Sequence, residues 1–462
     1  MLTGILIAVY VIIVAGVIIS LLLDNRTPAK TMAWGLLLIF LPVIGIIIYF
    51  FFGQNVRREK YISEHSMDLL TERSLLGFTE QEDLHVPEEQ HTLIQQFASE
   101  NWALPFKNNE VEIITEGHTF FSTLLHDIKT AKHSIHINTY IFDSDALGQL
   151  IADALTDKAK EGVEVRLIYD DVGSWKVRNS FWEKMRKGGV NVHAFLPVKF
   201  PAFTSKINYR NHRKMIIVDG SVAYIGGMNI AKRYLGWRDT HLRIRGNAVY
   251  GIQRAFLIDW YFVDGSLIND RRYYPAISSK INNNCVIQIV TSSPVSTWPD
   301  IMHGMVRILL QSRKYVYIET PYFLPTEPVL SAMQTAALSG VDVRLMVPAK
   351  NDAMFVQWAS HSFVQQALQA GIKVYLYHGT FNHSKILVAD DQLCTCGSTN
   401  IDFRSFENNF EGNAFIYDEK MAKAMKKVFE DDAEYCTEYK ETDLPFFVRL
   451  RDSLFRLLAP LL

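Results

Sequence analysis

The chain has 462 residues, with 47 Lys or Arg against 49 Asp or Glu, a formal net charge of −2 and a pI near 6.7. That balance lacks the bulk positive field of a nucleic-acid binder, although it leaves local basic patches open. Four cysteines, Cys285, Cys394, Cys396 and Cys436, are too few for a disulfide scaffold in a chain long enough for about two to three domains. Cys394-x-Cys396 sits in an apolar run, so all four are read as buried thiols rather than a metal or redox pair.

The N-terminus departs most from a soluble protein. Leu2 to Leu23 and Thr31 to Phe52 each give 22 residues without a charge, long enough to cross about 30 Å of hydrocarbon. Two transmembrane helices are expected, within a region spanning 1–60; Pro42 and Gly45 are tolerable inside the second. A cleaved signal peptide would need a basic stretch ahead of the first, and none is present. A buried hairpin is the alternative, disfavoured by those lengths. Arg57, Arg58 and Lys60 follow the second stretch, while the connecting "DNRTPAK" also carries Arg26 and Lys30. Two spans return the chain to its starting side, and the positive-inside bias then places the rest at the cytoplasmic face of a cell membrane.

Residues 61–105 are acidic and polar with weak helical patterning, and read as a linker. Beyond them, apolar runs of strand length alternate with helical patterns, the mark of α/β architecture. The chain then repeats itself. "HSIHINTYIF" (133–142) aligns with "KYVYIETPYF" (314–323), "EGVEVRLIYD" (161–170) with "SGVDVRLMVP" (339–348), and "GGVNVHAF" (188–195) with "AGIKVYLY" (370–377). Each pair is a strand candidate, usually placed after a Gly that ends a helix. The two copies are assigned to 106–275 and 276–440, the first carrying an extra segment between Phe195 and Asn211.

"NHRKMIIVDGSVAYIGGMN" (211–229) and "NHSKILVADDQLCTCGSTN" (382–400) share Asn, His, Lys, Asp, Gly and Asn at the same six places. The apolar runs around "DGS" predict a hairpin. On a strand, residues two apart share a face, so His212 and Lys214 point the same way, as do His383 and Lys385. An imidazole that attacks phosphorus or moves a proton, beside an ammonium that neutralises phosphate oxygens, suits a phosphodiester. Displacement at phosphorus needs a nucleophile on one side and an acid on the other. Two copies facing across a pseudo-two-fold axis supply both, with no metal and no cofactor required, and no cluster with metal-ligand spacing appears.

The double motif H-x-K-x4-D-x6-G-[GS]-x-N resembles that of the phospholipase D superfamily, and matches it in both copies. The apolar N-terminus with "LLDNRTPAKTMAW" and "LPVIGIIIYFFFGQN", together with "YIGGMNI" (224–230) and "WRDTHLRI" (237–244), narrows the resemblance to bacterial cardiolipin synthases. It implies an α/β fold of two pseudo-two-fold related phospholipase D-like units, each a mixed sheet flanked by helices, after two transmembrane helices. The implied reaction passes a phosphatidyl group from one phosphatidylglycerol to another, giving cardiolipin and glycerol. Its partners would be that lipid and the bilayer, not nucleic acid.

Residue by residue, the resemblance implies that one of His212 and His383 forms a phosphohistidine while the other serves as acid and then base. It gives Lys214, Lys385, Asn229 and Asn400 to the phosphate oxygens, and counts Asp219 and Asp390 in the signature, where their position at the hairpin turn suggests structural support. Asp239 and Glu411 follow each Asn at nearly the repeat offset, and a carboxylate there could hold each imidazole in one tautomer, surface carboxylates being the alternative. Ser398 offers a phosphate-binding hydroxyl in the second copy, where the first has Gly227. A membrane-bound phospholipase D, with water as acceptor, is the competing activity, and a nuclease a weaker one.

Two further segments read as membrane-facing. "LPVKFPAFTSKINYR" (196–210) mixes Phe200, Phe203 and Tyr209 with Lys199, Lys206 and Arg210 just before His212. In the tail, 441–462, Phe447, Leu450, Leu454, Leu457 and Leu461 recur at helical spacing; such a helix lies either on lipid or on the catalytic core.

Overall fold

The structure is a computed structural model and describes residues 2–23, 28–41, 43–49, 53, 86–198, 208–276, 281–440 and 444–461. The chain forms two compact units, Met1–Lys60 with Val198–Tyr209, and Tyr61–Pro197 with Arg210–Leu462.

In the first unit a helix Leu2–Leu23 is followed by helices Pro28–Phe40 and Ile44–Ile48. Leu21, Leu38 and Tyr49 are buried among Val14, Val17, Ile18, Trp34 and Ile46, and the Tyr10 hydroxyl donates to the Leu38 carbonyl at 2.6 Å. Much of the remaining apolar surface, including Ile12, Leu22 and Phe40, is exposed. The second apolar stretch, expected as one helix, breaks after Phe40, where Val43 takes a left-handed φ of 68° before the next helix starts. Among the described residues no helix is long and apolar enough to cross a membrane. The side chains at 2, 3, 6 and 7 and the residues 50–52 lie outside that description.

The second unit is built on two mixed sheets. The first contains β1 (Asn109–Glu116), β2 (Ser134–Thr139), β3 (Glu164–Asp170), β4 (Asn191–Phe195), β6 (Met215–Val218), β7 (Val222–Gly226) and β8 (Arg238–Gly246). Its order is β1-β8-β7-β6-β2-β3-β4. The intervening β5 (Arg210–Asn211) belongs to the other sheet. That sheet holds β9 (Val286–Ser292), β10 (Tyr315–Glu319), β12 (Asp342–Pro348), β13 (Lys373–Tyr377), β14 (Ile386–Ala389), β15 (Leu393–Gly397), β17 (Asn409–Tyr417) and an edge strand β18 (Cys436–Tyr439). β11 (Phe323–Leu324) pairs separately with β16 (Ile401–Asp402).

Read from β9, the second order is β9-β17-β15-β14-β10-β12-β13, which matches the first strand for strand. In each copy three strands run parallel, β2-β3-β4 and β10-β12-β13. The first two of each trio are buried nearly throughout, as parallel strands covered by helices must be. Gly162, Gly189, Gly340 and Gly371, just ahead of β3, β4, β12 and β13, all have φ between 85° and 96°; only glycine adopts that helix-ending conformation without strain. One hydrophobic cluster runs through both repeats, joining Met215, Ile225 and Phe256 to Ile287, Val388 and Phe429. The repeats therefore share a core.

Residues 86–105 correct the expectation of a linker. Glu88–Asn101 is a helix whose Leu93, Ile94 and Phe97 are buried against Val286, Ile301 and Phe415 of the second repeat, with the rings of Phe97 and Phe415 4.6 Å apart. Full burial of such side chains is worth roughly 1.5–3 kcal/mol each, enough to fix a helix whose other faces are polar. Residues 61–85 lie outside the described part. At the C-terminus the helix Phe446–Arg456 packs through Phe455 on Phe355 and Trp358 and buries Asp452, while Phe447, Leu450, Leu454 and Leu457 remain exposed. All four thiols are free; Cys285, Cys394 and Cys396 are buried and Cys436 is partly so.

The expected hairpins are present, β6 pairing with β7 and β14 with β15. At their tips Asp219 and Asp390 have φ of 52° and 53°. The Asp219 carboxylate accepts from the backbone N–H groups of Lys132, His133 and Ser134 at 2.7–2.9 Å. Asp390 does the same for Arg313, Lys314 and Tyr315. Both aspartates thus tie a hairpin to the start of the neighbouring parallel strand, and neither Asp219 nor Asp390, counted in the catalytic set by the resemblance, is among the residues lining the cavity described below. Asp219→Ala should cost about 2 kcal/mol, seen as an apparent melting temperature several degrees lower, with the folded fraction turning over at close to the wild-type rate.

Candidate active site

The histidine segments leave their own sheets. β5 pairs in parallel with β17 of the other repeat, Arg210 opposite Asn409 and Asn211 opposite Phe410, and the next N–H, that of His212, donates to the Phe410 carbonyl at 2.9 Å. The second repeat reciprocates. Asn382 bridges Arg238 of β8, and the His383 N–H donates to the Arg238 carbonyl at 2.7 Å. β17 carries Glu411 and β8 carries Asp239, so each imidazole meets the carboxylate of the opposite copy.

His212 Nδ1 lies 3.0 Å from Glu411 Oε1, and His383 Nδ1 lies 2.7 Å from Asp239 Oδ2. An ionised carboxylate only accepts, so Nδ1 carries the proton and Nε2 is left basic. Both histidines line a cavity of ≈ 470 Å³. Tyr140 stands edge-on to His212, ring centroids 4.9 Å apart, while Tyr234 and Trp237 wall in His383. Lys214 and Lys385 were expected on the histidines' strand face; the segments 212–214 and 383–385 lie outside the strands, each Nζ donates to the carbonyl of its own histidine, at 2.6 and 2.5 Å, and neither lysine is among the residues lining the cavity. Arg213 sets its guanidinium on Asp259 and the Glu411 carbonyl.

Burial controls the electrostatics. It holds His212 neutral, lowering it to about 4 against the pull of Glu411, and keeps His383 well below the ordinary imidazole value. The same desolvation lowers Lys214 to about 7 and Lys385 to about 8. Among the carboxylates the two sides differ. Burial raises Asp239 to about 6 despite Lys385. Glu411 is also pushed up by burial, but His212, Lys214 and the Ser398 hydroxyl outweigh that and hold it below the usual range.

Ser398 is where expectation and structure part. Its Oγ donates to Glu411 Oε2 at 2.5 Å and accepts from the Gly412 N–H at 3.0 Å, so it positions a carboxylate instead of facing a phosphate. Its counterpart Gly227 has no room for a side chain, because a Cβ there would overlap Asp239 Oδ1, which the Thr240 N–H holds at 2.8 Å. Asn229 and Asn400 do line the cavity. Asn229 accepts from the Ile141 N–H and donates to the Tyr234 hydroxyl, whereas Asn400 Oδ1 is buried with no partner.

The lining also includes Tyr140, Arg210, Tyr234, Trp237, Tyr322 and Arg404, none of which the motif singles out as catalytic. Two signals were available. Tyr140 and Tyr322 follow the first repeated strand of each copy, and Arg210 stands two residues before His212.

An ionised Asp239 accepts from His383 Nδ1, and only a charged lysine could neutralise an anion. Below about 6 the carboxylate gains a proton, and above about 7 to 8 the lysines lose theirs. kcat/KM of the free enzyme is therefore expected to be bell-shaped, falling on both sides of that window. A flat profile from pH 5 to 9 would contradict this assignment. Asp239→Asn should remove the acid limb while lowering the plateau.

Comparisons with known proteins place the chain in a family. The profile of the family described as "Cardiolipin synthase, PLD-like domain" matches residues 124–260 and 305–433, and that of "Phospholipase_D-nuclease N-terminal" matches 8–54. The major cardiolipin synthase ClsA of Bacillus subtilis is 38% identical over 466 residues, covering 96% of each chain. Cardiolipin synthase 1 of Staphylococcus epidermidis is 39% identical over 472 residues, 98% of this chain and 96% of that one. Among solved structures, the phosphatidylserine synthase of Haemophilus influenzae aligns with a TM-score of 0.65 at 16% identity, covering 80% of this chain and all of that one, a likeness of fold. With both repeats matched and the sequence similarity running nearly end to end, the chain belongs to the cardiolipin synthases, phosphatidyltransferases of the phospholipase D superfamily.

Proposed function

We propose that this chain makes cardiolipin from two molecules of phosphatidylglycerol through a phosphohistidine. The observation that carries the mechanism is the pair of neutral imidazoles, each buttressed by a carboxylate of the other repeat, at one cavity. One Nε2 attacks phosphorus while the other imidazole, which takes up a proton as the anionic phosphodiester binds beside it, delivers that proton to the departing glycerol oxygen. The phosphatidyl group is then bonded to the first histidine. The second imidazole, now neutral, takes the proton of the incoming hydroxyl, whose oxygen displaces the histidine and regenerates both groups. Lys214 and Lys385 stabilise the charge on the non-bridging oxygens, and Asn229 and Asn400 orient the phosphate. Asp239 and Glu411 hold the rings and stabilise the imidazolium as it forms. Hydrolysis by a membrane-bound phospholipase D differs only in the acceptor.

Membrane anchoring by two spans, with the catalytic unit in the cytoplasm, belongs to this proposal and is supported by the two apolar stretches of the sequence, by Arg57, Arg58 and Lys60 after them, and by the family match at residues 8–54. The tail supports a second attachment, since the stripe of Phe447, Leu450, Leu454 and Leu457 points away from the core. The aromatic and basic segment 196–210 keeps its reading as an interfacial loop, although its residues 199–207 lie outside the described part.

Two experiments test this. With labelled phosphatidylglycerol in detergent, the enzyme should release glycerol and form cardiolipin in equal amounts, and His212→Ala and His383→Ala should each lower turnover by at least a thousandfold. Phosphatidic acid as the main product would establish hydrolysis instead, and full activity in either variant would remove the two-histidine mechanism. Secondly, replacing Phe447 and Leu457 by Ser should lower the rate on bilayer phosphatidylglycerol at least threefold more than on a short-chain soluble analogue. An equal loss on both would show that the stripe serves folding.

A further inference from the structure

Arg210 stands two residues before His212, on the same face of an extended segment, roughly 6.6 Å along the backbone. It lines the cavity and is 4% exposed, yet its Nη1 and Nη2 are buried without a hydrogen-bond partner. Asp170, whose charge acts most strongly on it, directs its carboxylate to backbone. One oxygen accepts from the N–H groups of Val172 and Gly173, the other from that of Asn211 at 2.8 Å. A guanidinium carries its donors in a planar fork suited to a phosphate, and leaving that fork dry and unpaired is strongly unfavourable.

The surroundings are one-sided. The repeat offset of the histidines (383 − 212 = 171) puts Phe381 at the corresponding place in the second copy, where its ring packs on Trp237 and His383. Arg404 and Arg233 also line the cavity, and with Arg210 they act on the Tyr140 hydroxyl. Opposite Arg210 in the β5-β17 pair, Asn409 donates through Nδ2 to Glu411, while its buried Oδ1 has no donor. The pair therefore offers an unused phosphate donor and an unused hydroxyl acceptor side by side.

Resting on the transfer reading above, we propose that Arg210 binds the phosphate of the acceptor phosphatidylglycerol, with Asn409 Oδ1 receiving the hydroxyl of its glycerol that does not react. Both substrates carry a phosphodiester, but only the donor's lies between the two His-Lys pairs. The acceptor's lies one glycerol away from the attacking oxygen, so a transferase must hold two anions at that separation. Water and simple alcohols bring no second anion. Arg210 thus discriminates lipid acceptors from the others without touching the reacting phosphorus.

A competition experiment isolates this role. The full chain in detergent micelles receives labelled phosphatidylglycerol together with butan-1-ol, and the ratio of cardiolipin to phosphatidylbutanol is measured. Both products arise from the same phosphohistidine, so the ratio is insensitive to a partly unfolded preparation. Arg210→Gln should lower that ratio roughly tenfold to a hundredfold, as expected for the loss of a charged hydrogen-bonded contact. Arg210→Lys, which keeps the charge and loses the fork, should fall between. A wild-type ratio in Arg210→Gln, whatever the total rate, would overturn the assignment and give the guanidinium to the reacting phosphate or to Asp170. If the wild-type enzyme forms phosphatidylbutanol and no cardiolipin, the transfer reading itself fails, a result distinct from failure at Arg210.

Discussion

The exchange of histidine segments between the repeats is the constraint on which the active site depends. Because the His212 N–H is bound by Phe410 and the His383 N–H by Arg238, neither copy holds a supported imidazole alone. Each supplies the ring for one pair and the carboxylate for the other. Removing one partner of such a buried hydrogen bond leaves the other unsatisfied, at a cost of about 1–3 kcal/mol. The two copies are thereby locked together at the site as well as through their common core. β5 is only two residues long, so its pairing with β17 relies on the shared cluster behind it. Met215, three residues past His212, lies in that cluster together with Phe410, which anchors the catalytic segment at its base.

Within this symmetric frame the two sides are chemically unequal, and the inequality begins at one residue. Ser398 has room for its hydroxyl and uses it to hold the longer Glu411; Gly227 gives up its side chain so that the shorter Asp239 can approach and be held by backbone. Glu411 is held below the usual carboxylate range by His212 and Lys214 with help from Ser398, whereas burial raises Asp239 to about 6. A double displacement needs one imidazole that attacks and one that carries a proton, and environments that push paired groups apart are how proteins divide such roles.

Much of this was legible in the sequence because it follows from local rules. The glycines marked the helix ends, the apolar runs around the turn residues marked the hairpins, and the repeated strands gave a topology that the two sheets reproduce. Other features were hidden because they depend on tertiary partners. The helix at 88–101 has only a few apolar positions in a polar run, and becomes a helix because the second repeat offers Val286 and Phe415 as a surface. The crossing of carboxylates has no sequence signature, since the spacing from Asn229 to Asp239 is nearly that from Asn400 to Glu411 whichever histidine each one meets. Ser398 was read as a phosphate ligand for the same reason: its spacing fixes where it sits along the strand but not which neighbour claims its hydroxyl. The second apolar stretch was read as continuous because Pro42 and Gly45 are tolerated inside a membrane helix, yet the break at Val43 falls directly beside that proline.

Cavity size completes the connection to a lipid substrate. A space of ≈ 470 Å³ falls within the range of small-molecule pockets, sufficient for headgroups and far too small for the acyl chains of two phospholipids. The chains must therefore remain outside while phosphorus is transferred. The cavity wall formed by Asp352, Ala353 and Val356 runs directly into exposed Met354 and Phe355. Phe455 of the C-terminal helix stacks on Phe355, and the Leu461 carbonyl accepts from Arg404 of the lining at 3.5 Å. The exposed apolar stripe of the tail is thus continuous with the entrance. Polar chemistry inside and apolar surface at the rim allow the headgroups to react without taking the chains out of a hydrocarbon environment, whose loss would cost about 0.8 kcal/mol for every CH₂ exposed.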